Sequence, residues 1–95
     1  MNVTFLEAAQ VEFEQATAYY NQESPGLGFE FADEVFRSIE RVCLNPEAWQ
    51  SLSNNTRRCI TRRFPYGVVY QILPDQILIL AIMHLHLHPD SWRDR

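Results

Sequence analysis

The sequence predicts an α+β fold, a two-layer sandwich in which a helical hairpin packs on a small antiparallel sheet. Apolar residues recur at helical spacing in the first half of the 95-residue chain, whereas the second half has short β-branched and aromatic runs separated by prolines. A short apolar segment also precedes the first helix, and an isolated strand needs a sheet in which to satisfy its backbone. The predicted order is therefore β-α-α-β-β-β, in one domain at residues 1–95.

The first predicted elements are an edge strand at residues 2–5 and a helix over residues 6–22. Apolar side chains recur along this helix at steps of three and four residues, which places them on one stripe, and glutamate and glutamine occupy the polar face. The stripe consists of Leu6, Ala9, Phe13, Ala16 and Tyr20.

A second helix is predicted to begin at Ser24-Pro25, because serine is a good N-cap and proline is favoured at the first helical position. It carries two apolar stripes, so we expect it to touch the first helix on one side and the sheet on the other. Asn45-Pro46 is predicted to end it, since the residue before a proline disfavours α geometry. The stripes are Phe29, Ala32, Phe36, Ile39 and Cys43, and Leu27, Phe31, Val35 and Val42.

The rest of the chain is predicted to form an antiparallel meander, after a loop at residues 46–56 that Trp49 anchors. Strands are predicted at residues 57–64, 68–73 and 76–86, because each run is bounded by turn residues and has strand-like alternation or β-branched and aromatic side chains. The last run is apolar on both faces, which is typical of a central or covered strand.

Charge is distributed unevenly along the chain, whose net charge is −4. Residues 1–50 hold nine acidic side chains and two arginines, whereas residues 51–95 hold six arginines and three aspartates; there is no lysine. An acidic total argues against a protein whose affinity comes from neutralising many phosphates. A local arginine site is compatible with it, because a guanidinium binds carboxylates and phosphates through paired hydrogen bonds.

The sequence predicts no targeting signal, membrane span, cofactor or metal site. The N-terminal residues lack a basic region, and the longest apolar run, residues 77–83, is too short to cross a bilayer. Cys43 and Cys59 have no metal-binding spacing and are interpreted as reduced, buried thiols. We therefore expect a cytoplasmic protein that has no membrane partner.

Four arginines in the first strand of the predicted meander are candidate functional residues. Alternation along residues 57–64 puts Arg58 and Arg62 on one face of the strand and Arg57 and Arg63 on the other. They are interpreted as contacts to another macromolecule, with a charged strand edge that discourages aggregation as the structural alternative.

Three histidines follow at the end of the last predicted strand. If the strand continues, His84, His86 and His88 share a face, but two histidines at i and i+2 lack the third protein ligand that zinc usually takes. Trp92 is expected to pack over the sheet. We expect the arginines and imidazoles to form one exposed surface of the sheet.

Residues spread over nearly the whole chain form an ordered series: Tyr19-Tyr20, Pro25-Gly26-Leu27-Gly28, Asn45-Pro46, Arg57-Arg58, Arg63-Phe64-Pro65-Tyr66, Tyr70, Ala81, His84, Pro89 and Trp92. This series resembles the RelE/ParE family of bacterial toxins from type II toxin–antitoxin modules, also described as plasmid stabilisation proteins. No single motif is specific, but the ordered set is. The family also has the β-α-α-β-β-β order predicted above from periodicity.

The resemblance implies a small toxin that halts growth unless a cognate antitoxin binds it in a hetero-oligomer. Antitoxins of this family typically wrap an extended or helical segment around the toxin. RelE-like members cleave mRNA on the ribosome, whereas ParE-like members poison DNA gyrase. The shared fold does not choose between these activities, so the site must.

Metal-independent RNA cleavage needs a base for the ribose 2′-hydroxyl, cations for the phosphate and an acid for the leaving 5′-oxygen. The family tail commonly reads His-x-Arg-Arg-x-Pro-x-Tyr-Trp, but here His86 and Leu87 stand where the two arginines would sit and Ser91 replaces the tyrosine. Imidazoles with a pKa of about 6.5 are able to supply both an acid and a base. The candidate catalytic residues of a nuclease are Arg58, Arg63, His84, His86 and His88.

The altered tail, the acidic total and the lack of lysine favour a ParE-like toxin that binds gyrase and is no enzyme. One alternative is a RelE-like mRNA endoribonuclease that acts on the ribosome; the other is a decayed toxin that only binds its antitoxin. The residues predicted to bind a partner are Arg57, Arg58, Arg62, Arg63, His84 and Trp92.

Overall fold

The computed structural model describes residues 2–95 as two helices on one face of a five-stranded sheet. The predicted two-layer α+β sandwich is confirmed, with one short strand more than expected. In chain order the elements are β1 (Asn2–Phe5), α1 (Glu7–Glu23), α2 (Leu27–Leu44), β2 (Gln50–Ser51), β3 (Thr56–Ile60), β4 (Tyr66–Ile72) and β5 (Gln76–His84).

The sheet has the strand order β1-β5-β4-β3-β2 and is mixed. The three predicted strands β3, β4 and β5 form the antiparallel meander, but β1 pairs with β5 in parallel, with Phe5 opposite Ile79. A parallel pair requires a crossover connection, which the helical hairpin and the meander supply together. The first strand therefore satisfies its backbone at the edge of the sheet, as predicted.

The predicted start of the second helix is wrong by two to three residues. Ser24 is the C-cap of α1, where its N–H donates to the carbonyl of Tyr20, and α2 begins only at Leu27. Pro25 lies in the turn, and Gly26 has a φ of +88°, a left-handed conformation that glycine adopts without strain. The same residues that suggested a helix start thus form the hairpin turn.

Gly28 permits α1 and α2 to approach closely. A Cβ at this position would lie 2.2 Å from the carbonyl oxygen of Thr17, and the Gly28 N–H donates to Oδ1 of Asn21 at 2.8 Å. The second helix contacts α1 on one side and β3 and β4 on the other, as predicted, and it buries Phe31 completely. It does not separate α1 from the sheet, because α1 itself packs on β5. The other predicted stripe is only partly covered, because Phe29 is 71% exposed.

The first strand of the predicted meander is shorter than residues 57–64, because β3 ends at Ile60. A tight loop follows, in which Phe64 has a φ of +75° and the Thr61 hydroxyl is within hydrogen-bonding distance of the carbonyls of Phe64 and Tyr66. The loop turns the Phe64 ring onto the helix side, where it meets Tyr20 at 4.9 Å between centroids. The strand-like alternation predicted for Phe64 is therefore wrong.

Two further boundaries differ from the prediction. The loop predicted at residues 46–56 contains β2, which pairs with β3, and Trp49 beside it donates its indole N–H to the carbonyl of Arg41 at 3.3 Å. At the other end, β5 stops at His84, and residues 85–87 form a turn. The strand was predicted to extend to residue 86, but it ends at His84 and carries only the first of the three histidines.

Each face of the sheet has its own apolar cluster. We call the side covered by α1 and α2 the helix face and the opposite side the open face. The open-face cluster is Val69, Leu80, Ala81 and Met83, with Leu6, Leu52, Leu78, Leu85 and Trp92 packed against it. The helix-face cluster includes Ala9, Ala16, Phe31, Val35, Ile39, Val42, Cys59, Val68, Tyr70, Ile77, Ile79 and Ile82.

Both cysteines are free thiols, with Cys59 buried and Cys43 partly buried. Burial raises the pKa of the Cys59 thiol, so it is held in its neutral form. Neither helix between residues 2 and 95 has the length and apolar character needed to cross a membrane.

Candidate functional site

Arg57 and Arg58 lie on opposite faces of β3. Arg57 is on the helix face, opposite Tyr70 in the register, and its Nη1 donates to the carbonyl of Trp49 at 2.7 Å. Arg58 is on the open face, opposite Val69, and its Nη2 donates to Oε1 of Gln50 at 2.6 Å. Each guanidinium is thus held to the segment around β2, but on different sides of the sheet.

Arg58 has an unusual feature, because its Nε is buried and has no hydrogen-bond partner within residues 2–95. The aliphatic stem lies against Gly67, where an added Cβ would be 3.0 Å from the Arg58 side chain. Trp92 packs on the same open-face cluster, as expected for a residue that covers the sheet. The open face thus combines one partly satisfied guanidinium with an apolar aromatic cover.

Arg62 and Arg63 belong to the loop after β3 and lie beside α2. Arg63 forms an ion pair with Glu30 at 2.6 Å and stacks its guanidinium over the Phe64 ring at 4.9 Å. Arg62 lines a shallow surface cleft together with Arg41 and Leu44. Both side chains are therefore directed towards the acidic residues of the second helix and lie away from the rest of the sheet.

His84 ends β5 on the helix face, next to Tyr66, at 5.1 Å between ring centroids. Its Nδ1 accepts the backbone N–H groups of His86 and Leu87, each at 3.1 Å, and so caps the turn that ends the strand. Burial, with a further contribution from His86 and His88, lowers the pKa of His84. An Nδ1 that accepts two N–H groups also favours the neutral imidazole, which leaves Nε2 as the donor.

The expectation that arginines and imidazoles share one surface of the sheet is wrong. Arg58 is on the open face, Arg63 is paired to α2, and His84 lies against α1 on the helix face. The physical reason is that β3 ends before the second arginine pair, so the loop carries that pair to the acidic helix. His86 and His88 lie in the segment after β5, and no group of three metal-ligating side chains forms within the described chain.

On the helix side, a groove of about 360 Å³ lies between α1 and the end of β5, and we call it the α1–β5 groove. Burial raises the pKa of Tyr66 to about 12, so its hydroxyl is a donor at neutral pH. A hydrogen bond with Glu23 raises the pKa of Tyr19. The groove is lined by Glu12, Gln15, Ala16, Tyr19, Tyr20, Tyr66, Ile82, His84, Leu87 and His88.

Glu12 and Arg95 meet at the rim of this groove. Nη1 and Nη2 of the guanidinium each donate a hydrogen bond to the carboxylate, at 2.7 and 2.9 Å. The hydrogen bond to Glu12 raises the pKa of the Arg95 guanidinium. Sequence reasoning missed this pair because the two residues are 83 positions apart and no motif links a glutamate on the polar face of a helix to a distant arginine.

The chain is similar to known proteins both in sequence and in fold. The family model described as ParE toxin of type II toxin–antitoxin system, parDE, matches residues 3–86. A solved structure of the chromosomal ParDE TA system from P. aeruginosa superposes with a TM-score of 0.76 at 16% identity, covering 88% of this chain and 95% of that chain. No curated protein matches the sequence.

Proposed function

This chain belongs to the ParE toxin family, and on that premise we propose that it arrests growth by binding DNA gyrase and is neutralised by a cognate antitoxin. The family membership supports the role of toxin in a type II toxin–antitoxin system. The target and the mode of neutralisation are our proposal and are supported by the placement of the candidate site residues.

The dispersal of the candidate catalytic residues is the observation that carries the proposal. General acid–base catalysis with a stabilised phosphate needs its groups around one reacting centre. Arg58, Arg63 and His84 point to three different surfaces, and Arg63 is already neutralised by Glu30. This arrangement favours a toxin that acts by binding over the RelE-like endoribonuclease.

The charge of the chain supports the same choice. A net charge of −4 with no lysine offers little to a long phosphate backbone. On the open face, the Arg58 guanidinium makes an exposed side-chain hydrogen bond to Gln50, and Trp92 and Leu85 add apolar cover on the same face. Arginine and tryptophan are, with tyrosine, the side chains most enriched at the energetic centres of protein interfaces, so we assign gyrase contact to this face.

The α1–β5 groove is the surface we assign to the antitoxin. Its lining combines three tyrosines, two histidines and aliphatic side chains with the single carboxylate of Glu12. Aromatic and aliphatic walls with a few oriented polar groups suit a peptide segment that leaves water for a protein surface. The complex of toxin and antitoxin is then a hetero-oligomer in which the open face and the groove have different occupants.

A paired assay tests the function. Purified protein is added to gyrase and relaxed plasmid, and in parallel it is induced in cells whose mRNA is examined within minutes. We expect supercoiling to be blocked and transcripts to stay intact. Normal supercoiling at saturating protein contradicts the gyrase assignment, and translation-dependent transcript cuts support the nuclease instead.

The antitoxin assignment has its own test. The product of the neighbouring gene is co-expressed with the protein, and we expect the two to co-purify and growth to recover. If strong expression of the protein alone leaves growth unimpaired while the complex still forms, the protein is a decayed toxin. If no complex forms, the antitoxin assignment is wrong whatever the target.

A further inference from the structure

The outer edge of β5 is covered by a strand along only half of its length. The parallel partner β1 pairs with Gln76 to Ile79 and ends at Phe5, and the N–H of Leu6 adds one more bond, to the carbonyl of Ile79. From Leu80 to the end of β5, the outer edge has no neighbouring strand anywhere in residues 2–95. An open strand edge of this kind is a template for another extended backbone.

Two side chains occupy the place of the missing strand. The N–H of Ile82 donates to Oε1 of Glu12 at 3.1 Å, and Nη1 of Arg95 donates to the carbonyl of Leu80 at 3.0 Å. A paired strand would make the same two kinds of bond with β5: Glu12 accepts from a backbone N–H, and Arg95 donates to a backbone carbonyl. Glu12 and Arg95 therefore satisfy the open edge together.

The pair is also largely shielded from water. The side chains of Arg95 and Glu12 are only 20% and 23% exposed, whereas those of the Arg93–Asp90 pair nearby are 64% and 68% exposed. Charge-assisted bidentate bonds in a shielded place are among the stronger polar contacts in proteins. The groove rim is thus built to hold a guanidinium, and the chain's own Arg95 shows which chemistry fits.

The residues between β5 and Arg95 make this contact replaceable. They form neither a helix nor a strand after His84 and are joined by turn hydrogen bonds such as that from the His88 N–H to the His84 carbonyl. Withdrawal of Arg95 would leave the carbonyl of Leu80 and one side of the Glu12 carboxylate without their donors. An incoming group that restores both donors suffers no loss from this exchange.

We propose that the Glu12–Arg95 pair is a removable cap on an arginine-recognition site, and that an extended segment of the antitoxin replaces Arg95 with an arginine of its own. This inference rests on the proposed function, because it names what the antitoxin presents to the α1–β5 groove. The incoming guanidinium takes both oxygens of Glu12 and the carbonyl of Leu80, which are the acceptors that Arg95 leaves. Glu12 keeps its bond to the Ile82 N–H, and the segment runs along the outer edge of β5. Lysine fits less well, because a compact ammonium does not reproduce the planar bidentate contact.

The groove beside the cap fits the residues that flank such an arginine. Tyr19, Tyr20 and Tyr66 line it with aromatic surface, and the Nε2 of His84 supplies a donor when the imidazole is neutral. A partner segment that lies alongside β5 as an extended strand places every second side chain towards this groove, since successive residues of a strand point to opposite sides. The partner that fits is therefore an extended peptide with one arginine and apolar neighbours.

The site is tested first with a small probe, Nα-acetyl-arginine amide, which is titrated into the full chain while the backbone amide of Ile82 is followed by NMR. In Arg95→Ala we expect saturable binding that shifts this amide. In the natural chain and in the matched control Arg93→Ala, the cap is present and binding is weaker by about tenfold or more. Nα-acetyl-lysine amide should bind Arg95→Ala more weakly than the arginine probe.

The double variant Glu12→Gln/Arg95→Ala keeps the shape of the site but lacks the carboxylate, so the arginine probe should not bind it. Thermal unfolding of every variant checks that the fold is kept, and Glu12→Met, which also lacks the carboxylate, serves in place of Glu12→Gln if that variant unfolds. No saturable binding to folded Arg95→Ala overturns the site. If the arginine probe binds the natural chain and Arg95→Ala equally, the proposal that Arg95 caps the site is wrong.

Binding of the antitoxin to the same variants then tests whether the antitoxin occupies this site. With the neighbouring gene product as ligand, Arg95→Ala should tighten binding by about threefold or more, because the cap no longer competes, and Glu12→Gln should weaken it. If the natural chain binds no antitoxin, the proposed function fails while the probe experiment still stands. If antitoxin binds all variants equally, or if Arg95→Ala instead assembles with copies of itself, the proposed occupant is wrong.

Discussion

The two faces of the sheet are built differently. On the helix face, two helices seal a large cluster in which Phe31 packs against Tyr20, Phe64 and Tyr66 at centroid distances of 5.2, 5.3 and 4.9 Å. On the open face, four buried side chains are covered only by single residues from loops and from the segment after β5. We therefore expect burial on the helix face to contribute most of the free energy of unfolding. Side chains on the open face are less enclosed and are available to contact a partner.

The largest expected effect comes from truncating a side chain at the centre of the helix-face cluster. Phe31→Ala removes a ring that is 0% exposed and should lower the free energy of unfolding by about 3–5 kcal/mol, through lost burial and a residual cavity. The matched control is Phe29→Ala on the same helix, which is 71% exposed and should change it by no more than about 0.5 kcal/mol. Urea denaturation measures both, and similar losses would contradict the division between the faces.

The cover of the open face should matter less. Trp92→Ala uncovers part of the cluster around Leu80 and Met83 and should lower the free energy of unfolding by about 1–2 kcal/mol, because the indole is only partly buried. Leu87→Ala, at a position 68% exposed, is the control and should have almost no effect. A loss at Trp92 as large as that at Phe31 would show that the cover is part of the main core.

Arg58 separates stability from function on the open face. Arg58→Met keeps the stem against Gly67 and removes a buried Nε without a partner in the described chain. It also loses the exposed bond from Nη2 to Gln50, so the two effects offset and the free energy of unfolding should change by less than about 0.5 kcal/mol. Gyrase inhibition should fall about fivefold or more if this face meets gyrase.

Arg57→Met is the matched control for Arg58, since it loses the bond to the Trp49 carbonyl on the other face. It should lower the free energy of unfolding by about 1 kcal/mol and leave inhibition unchanged. Unfolding in urea and the supercoiling assay report the two effects separately. If folded Arg58→Met still inhibits gyrase fully, the assignment of gyrase contact to the open face is wrong.

The smallest effect is a pH dependence at the rim of the helix face. The pKa of His84 is below its ordinary value of 6.5 in the folded chain, so the unfolded chain binds a proton first as pH falls. Stability should therefore be complete above about pH 6.5 and decrease as the pH falls through the lowered folded pKa. Tyr66 from β4, Tyr19, Tyr20 and Glu12 from α1, and His86 and His88 face the same groove or contact the ring.

His84→Asn isolates this contribution. The asparagine Oδ1 keeps an acceptor near the position of Nδ1 but does not titrate, so this variant should lose less stability between pH 7 and pH 5 than the natural chain. Thermal unfolding across that range gives the comparison. Equal slopes in the two proteins would show that His84 is no source of the pH dependence.

The helix pattern and the element order were predictable because they depend on local spacing. The stripe from Leu6 to Tyr20 placed α1 to within one residue, and the run from Gln76 gave the start of β5. The start of α2 was predicted wrongly, because serine followed by proline is compatible with a helix start and also with a turn. Only the φ of +88° at Gly26 distinguishes the two in this chain.

The sequence by itself determined the fold class, the family resemblance and the residues available for a site, because periodicity and composition are properties of neighbours along the chain. Tertiary structure alone decided where those residues meet. It divided the arginines among separate surfaces, and it brought Glu12 to Arg95 across 83 positions. Contacts of that range depend on how β5 pairs and where β1 ends, and no local pattern encodes either.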